Sequence, residues 1–99
     1  MATVTVLYSK GTDFNMDYYM SKHMPLVQSL WSQYGLTSWK VIDFGKDAEF
    51  CVQATLEFES MDSFQKAAGS KEAGEVMGDV KNFADKNPLL IPGNIKGTS

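Results

Sequence analysis

The chain of 99 residues contains no arginine: its nine basic residues are all lysines, set against twelve acidic ones for a net charge of −3. Proteins that read nucleic-acid grooves and phosphates rely on basic patches and on the arginine fork, so this composition argues against nucleic acid as a partner. The same absence weakens bidentate capture of a carboxylate or phosphate and leaves apolar, aromatic or neutral-polar ligands. One cysteine excludes an intramolecular disulfide, which fits the cytoplasm. One histidine with no cysteine pair cannot complete a three-ligand zinc set, so no metal is expected. No apolar run approaches the roughly 20 residues needed to cross a bilayer, so no membrane contact is expected. Met1-Ala-Thr-Val-Thr5 lacks the basic and apolar segments of a secretion signal.

What is present is a globular composition, 43% hydrophobic and 12% aromatic, long enough for one domain over residues 1–99. A chain of this size buries roughly 60–65% of its extended surface, enough for one core. The stretch from Phe14 to Tyr34 places Met16, Tyr19, Met20, Val27, Leu30, Trp31 and Tyr34 at the i, i+3, i+4, i+7 spacing of a helix with one buried face. His23 falls near the middle of that stripe, between Met20 and Val27. Pro25 lies on the opposite side. It has no N–H to donate and its ring crowds the Ser21 carbonyl, so the helix is expected to bend or break there.

Thr3 to Tyr8 alternates as a strand, with Val4, Val6 and Tyr8 on one face. Asn15 suits the helix N-cap, Asp17 its first turn and Gly35 its C-terminal stop. Leu36 to Phe44 predicts a second strand, Gly45-Lys-Asp-Ala48 a turn, and Phe50 to Phe58 a third strand with Phe50, Val52, Ala54, Leu56 and Phe58 on one face. Ser60 caps a helix through Ala68, and after Gly69-Ser70 a second helical pattern carries Ala73, Val76, Met77, Val80, Phe83 and Ala84. Leu89-Leu-Ile91, closed by Pro92-Gly93, suits a last strand at a sheet edge.

The order β-α-β-β-α-β defines an α+β, ferredoxin-like fold: an antiparallel sheet with both helices on one face. The other face then shows Thr3, Thr5, Cys51, Gln53, Thr55 and Glu57 mixed with Leu7. An uncovered, semi-polar sheet face with open strand edges is a liability in a monomer, so a two-fold homodimer paired face to face is expected.

At Asp17-Tyr18-Tyr19 and His23-Met24-Pro25-Leu26-Val27 the chain resembles the EthD family, the ethyl tert-butyl ether degradation proteins of the dimeric α+β barrel superfamily. A second match lies at Asp79-Val-Lys-Asn-Phe-Ala-Asp85, followed by Pro88 and an apolar strand. The resemblance implies a dimeric barrel and a cleft between the first helix and the sheet. It also implies a histidine near the position of His23, and no organic cofactor or metal. Similar proteins range over ether-degradation accessories of oxidoreductase systems, polyketide cyclases, dehydratases, decarboxylases and an isomerase, so the fold alone does not choose an activity.

His23 is the candidate acid or base: an apolar pocket favours the neutral ring, which can accept a proton. The plain alternative is a core histidine whose nitrogens are satisfied by backbone or a tyrosine. Tyr19, Trp31, Trp39 and Phe83, with Tyr34, are candidates to line a pocket for a flat ligand, against ordinary core packing. Tyr18 lies off the stripe and is expected at a surface or subunit contact. Asn82 is a candidate for a hydrogen bond near the cleft or for a helix-end cap. Cys51, on the opposite sheet face, lacks the basic partner a nucleophilic thiol needs.

Two functional readings follow. One is a cofactor-free isomerase, cyclase or decarboxylase, or an oxidoreductase-type protein, acting on a small hydrophobic or aromatic oxygen-bearing compound. The other is a non-catalytic dimeric binding or accessory module for a hydrophobic metabolite or a partner oxygenase.

Overall fold

In the computed structural model, which describes residues 1–99, β1 (Ala2–Ser9) turns Ala2, Val4, Val6 and Tyr8 into the core and Thr3, Thr5 and Leu7 to the other face. β3 (Phe50–Phe58) lies antiparallel to it with Val4 opposite Leu56 and Val6 opposite Ala54, so the two apolar faces coincide. β2 (Leu36–Asp43) pairs with the far side of β3, and β4 (Leu89–Asn94) with the far side of β1, giving the order β2-β3-β1-β4. This is the antiparallel ferredoxin-like sheet that the element order predicts.

The helices lie on one face. α1 (Met16–Tyr18) begins at Asn15, whose side chain accepts the Tyr18 backbone N–H at 3.0 Å. A five-residue π turn follows over Tyr19–His23, then α2 (Met24–Trp31) and a short 3-10 turn over Ser32–Tyr34. Gly35 stops this helix at φ 105°, and a Cβ there would come within 2.9 Å of the Ser63 side chain, so glycine is required twice over. α3 (Met61–Ala68) is capped by Ser60, and α4 (Glu72–Gly78) leads through Asp79 into a 3-10 turn over Val80–Asn82. Tyr19, Met24, Val27 and Trp31 from the first helix meet Val76, Val80 and Phe83 from the second over Val4, Val6, Ala54 and Leu56 of the sheet. No helix is long and apolar enough to cross a membrane.

The local departures from expectation have physical causes. The first helix neither breaks nor ends at Pro25. Instead the Met24 N–H donates to the Tyr19 carbonyl, five residues back. One extra residue in that turn absorbs the missing proline N–H and the crowding of its ring while the chain stays helical. The same insertion shifts the buried stripe: Tyr19, His23, Val27 and Trp31, each four residues on, are buried with Met24, whereas Met20 is exposed. At the other end of the chain, β4 continues past Pro92 to Asn94. Pro92 lies opposite Val4 on the outer strand, where its missing N–H leaves no ladder bond unmade on the solvent side. The second helical pattern is divided at Gly78, where the α-helix gives way to the 3-10 turn.

Candidate functional site

The π turn brings His23 to the inner end of its helix turn with the ring stacked on Tyr19, centroids 5.2 Å apart and planes 16° from parallel. An i, i+4 pair in a regular α-helix is offset by 40°; the wider turn removes that offset. Phe83 packs against both rings, its centroid 4.5 Å from that of the imidazole and 4.8 Å from that of Tyr19. Across the interface, Asp79 stands at the junction between α4 and the 3-10 turn. Its Oδ2 lies 2.9 Å from Nδ1 of His23. Its Oδ1 accepts from the Tyr18 hydroxyl at 2.7 Å and from the Asn82 amide at 2.9 Å.

The electrostatics follow from this arrangement. Burial lowers the His23 pKa below its ordinary value, against the opposing pull of Asp79, so the ring is neutral near pH 7. Partial burial pushes the Asp79 carboxyl up, but the bonds from Tyr18, Asn82 and His23 together outweigh it and hold the group below the usual range. An ionised carboxylate only accepts, so the neutral imidazole carries its proton on Nδ1 and donates it to Asp79. Nε2 is left with its lone pair and no partner in the protein. A proton taken up there would create an imidazolium next to a carboxylate already in place.

His23 lies in the wall of a cavity between the first helix and the sheet, lined by 14 residues of which 12 are hydrophobic. Val6, Ala54 and Leu56 form its floor and Tyr8, Tyr19, His23, Val27 and Trp31 its walls. Met77 and Leu90, 44% and 38% exposed, stand at its opening. The cavity as it stands measures about 30 Å³. That free space holds roughly two waters.

Of the residues singled out from sequence, the structure brings His23, Tyr19 and Trp31 to this cavity. Phe83 packs against the rings of His23 and Tyr19 but sits behind the cavity wall. Trp39 is elsewhere: it projects from β2, half-buried, and its indole N–H donates to Gln28 at 3.0 Å. Tyr34 is likewise outside, its hydroxyl bonded to Glu72 at 2.9 Å. Tyr18 is half-buried, off the buried stripe, and its hydroxyl donates to Asp79 at 2.7 Å. Cys51 lies on the opposite sheet face, where its Sγ is 3.5 Å from the Tyr8 and Ser9 carbonyls. Asp79 and Tyr8 were not identified. The signal for Asp79 was its place at the head of the Asp-Val-Lys-Asn segment, but nothing local tells that it meets a histidine 56 residues away.

A four-stranded antiparallel layer with its helices on one face and a histidine-bearing cleft between helix and sheet defines a small ferredoxin-like α+β domain. The EthD domain model matches residues 12–87, and the chain belongs to that family. Among solved structures it is similar to an EthD-like protein from Ralstonia eutropha, with TM-score 0.86 and 23% identity over 99% of this chain and 94% of that one. An ethyl tert-butyl ether degradation family protein from Bacillus halodurans aligns at TM-score 0.74 and 21% identity over 96% and 98%. SnoaB, a cofactor-independent oxygenase from Streptomyces nogalater, aligns at TM-score 0.74 and 8% identity over 98% and 94%. No curated protein matches the sequence.

Proposed function

We propose that the chain binds a small apolar, oxygen-bearing compound in the cavity under its first helix, and that His23 acts on it as a cofactor-free general base and acid. The carrying observation is a neutral imidazole in an apolar cavity wall, its Nδ1–H tied to Asp79 at 2.9 Å and its Nε2 without a partner in the protein. Nε2 takes a proton from the guest, Asp79 stabilises the imidazolium that forms, and the same nitrogen returns the proton to another atom. Tyr18 and Asn82 act through Asp79, as positioning residues. The reaction classes open to such a centre are isomerisation, cyclisation and decarboxylation. The structural likeness to a cofactor-independent oxygenase adds an oxidoreductase-type reaction, and the family's name a place in ether degradation.

The working unit in this reading is a two-fold homodimer, supported by the open sheet face. There Leu89 and Ile91, 52% and 49% exposed, line up with Leu7 and Thr5. Burying that face against a second copy would remove an apolar patch that a monomer leaves in water.

The test begins with protein purified from cells under native conditions. Compounds released from it are identified by mass spectrometry and offered back to the wild type and to His23→Gln and His23→Ala. Conversion by the wild type alone supports the reading. Equal conversion by all three takes His23 out of the chemistry, and binding without conversion by the wild type favours a binding or accessory module.

A further inference from the structure

Two polar groups on the cavity remain unaccounted for by an acid–base histidine. Tyr8, from β1, and Tyr19, from the π turn, both line it, and each is 2% exposed. Their rings meet edge to face with centroids 6.1 Å apart. Neither hydroxyl has a hydrogen-bond partner in the protein, whereas the hydroxyls of Tyr18 and Tyr34 both do. Nor is either hydroxyl sealed in: the fully enclosed unpartnered side-chain atoms are Thr3 Oγ1 and Trp31 Nε1. Two buried side chains whose polar tips are open yet unbonded, on a cavity already holding a histidine, depart from the rule that a buried tyrosine hydroxyl finds a partner. Burial pushes both phenols well above their ordinary pKa, so each keeps its proton and is available as a donor.

We propose that the hydroxyls of Tyr8 and Tyr19 form a two-donor clamp for one acceptor oxygen of the guest, and that the guest is a small apolar carbonyl compound. A carbonyl oxygen has two lone pairs and can accept from both hydroxyls at once, while a hydrocarbon of the same shape leaves both unmet. The Tyr19 ring lies against His23, so the clamp sets the guest's oxygen on the histidine side of the cavity, with the apolar remainder toward Val27 and Leu56. The inference rests on the cavity being a small-molecule site, and the experiment separates the two.

Acetophenone and ethylbenzene share a ring and a two-carbon chain and differ in a carbonyl against a methylene. Calorimetric titration of the full chain is expected to show acetophenone bound about tenfold more tightly, the worth of two modest hydrogen bonds. The infrared stretch of carbonyl-labelled acetophenone is expected to fall on binding. Tyr8→Phe and Tyr19→Phe each reduce the preference to about threefold, on the same count of one bond lost. The double variant abolishes both preference and infrared shift while still binding ethylbenzene, and Trp39→Phe, outside the cavity, changes neither. Equal binding of the two probes by the wild type, or a preference that survives in the double variant, overturns the clamp and leaves the cavity standing. Failure of both probes to bind removes the cavity reading and the clamp together.

Discussion

The two faces of the one sheet differ in what they leave unsatisfied. Under the helices, alternate residues of β1 and β3 are mostly buried, and the unmet groups are polar: Nε2 of His23, the hydroxyls of Tyr8 and Tyr19 and the indole N–H of Trp31, against one enclosed polar atom, Thr3 Oγ1, on the other face. On the other face the polar groups of Thr3, Thr5, Gln53 and Thr55 are mixed with apolar Leu7, Leu89 and Ile91, two of which stand about half exposed. An apolar enclosure with unpartnered polar tips fits a small guest that supplies the missing bonds. A flat face with exposed apolar side chains and open hydrogen-bonding edges fits another protein surface. The strand period of two is what lets neighbouring residues on one strand serve these separate ends.

The comparison breaks first at His23. Replacing it with glutamine keeps a polar side chain of similar reach but no titratable nitrogen. Turnover of the compound that the protein carries is expected to fall about 10²- to 10⁴-fold, the usual worth of a positioned acid or base. A steady-state assay decides, and wild-type rates would end the assignment. Next in size is the packing of the covered face. Phe58 is fully buried against Trp31 and Phe64, so Phe58→Ala is expected to cost about 3–5 kcal/mol in urea unfolding. Thr5→Ala, at the middle of β1 on the open face, is expected to stay within about 0.5 kcal/mol.

The open face is tested by charge. Leu89→Lys with Ile91→Lys is expected to convert a dimer to a monomer in sedimentation at micromolar concentration while the covered-face cavity still binds its guest. A wild type that is already a monomer under those conditions removes the face-to-face pairing. The smallest effect is in proton binding. His23 has a folded pKa below its unfolded value of 6.5, so on acidification the unfolded chain takes up its proton first and stability falls from about pH 6.5 downward. Asp79 is depressed as well, so its contribution is present above the ordinary carboxylate range and is lost at still lower pH. Proton NMR of the one imidazole is expected to show a midpoint below 6.5. Asp79→Asn moves it further down, because the carboxylate that favours the charged ring is gone. A midpoint that rises in that variant would mean the ion pair does not set the ring's charge.

Much of the fold was open to reading because its signals are local. The alternation in Thr3–Tyr8 and Phe50–Phe58, the caps at Asn15 and Ser60 and the stop at Gly35 each depend on residues within one turn or strand. The burial of the only histidine was legible for the same reason. The stripe was one residue out at Met20, since the period of 3.6 assumes a uniform helix and the π turn adds a residue where Pro25 forbids the ordinary bond. Trp39 was a sequence candidate because it is aromatic. Its actual place follows from the β2 register, shifted by the irregularity between Leu36 and Ser38, which no alternation in that strand announces.

By itself the sequence determined an arginine-free, mildly acidic α+β domain of the EthD family with one histidine turned inward, because composition and short-range periodicity are written along the chain. Tertiary structure alone decided that this histidine meets Asp79, that Asp79 is held by Tyr18 and Asn82, and that Tyr8 and Tyr19 end unbonded on the same cavity. Those contacts join residues as far as 61 positions apart, and their distances come from how two helices settle on a twisted sheet rather than from any spacing in the chain.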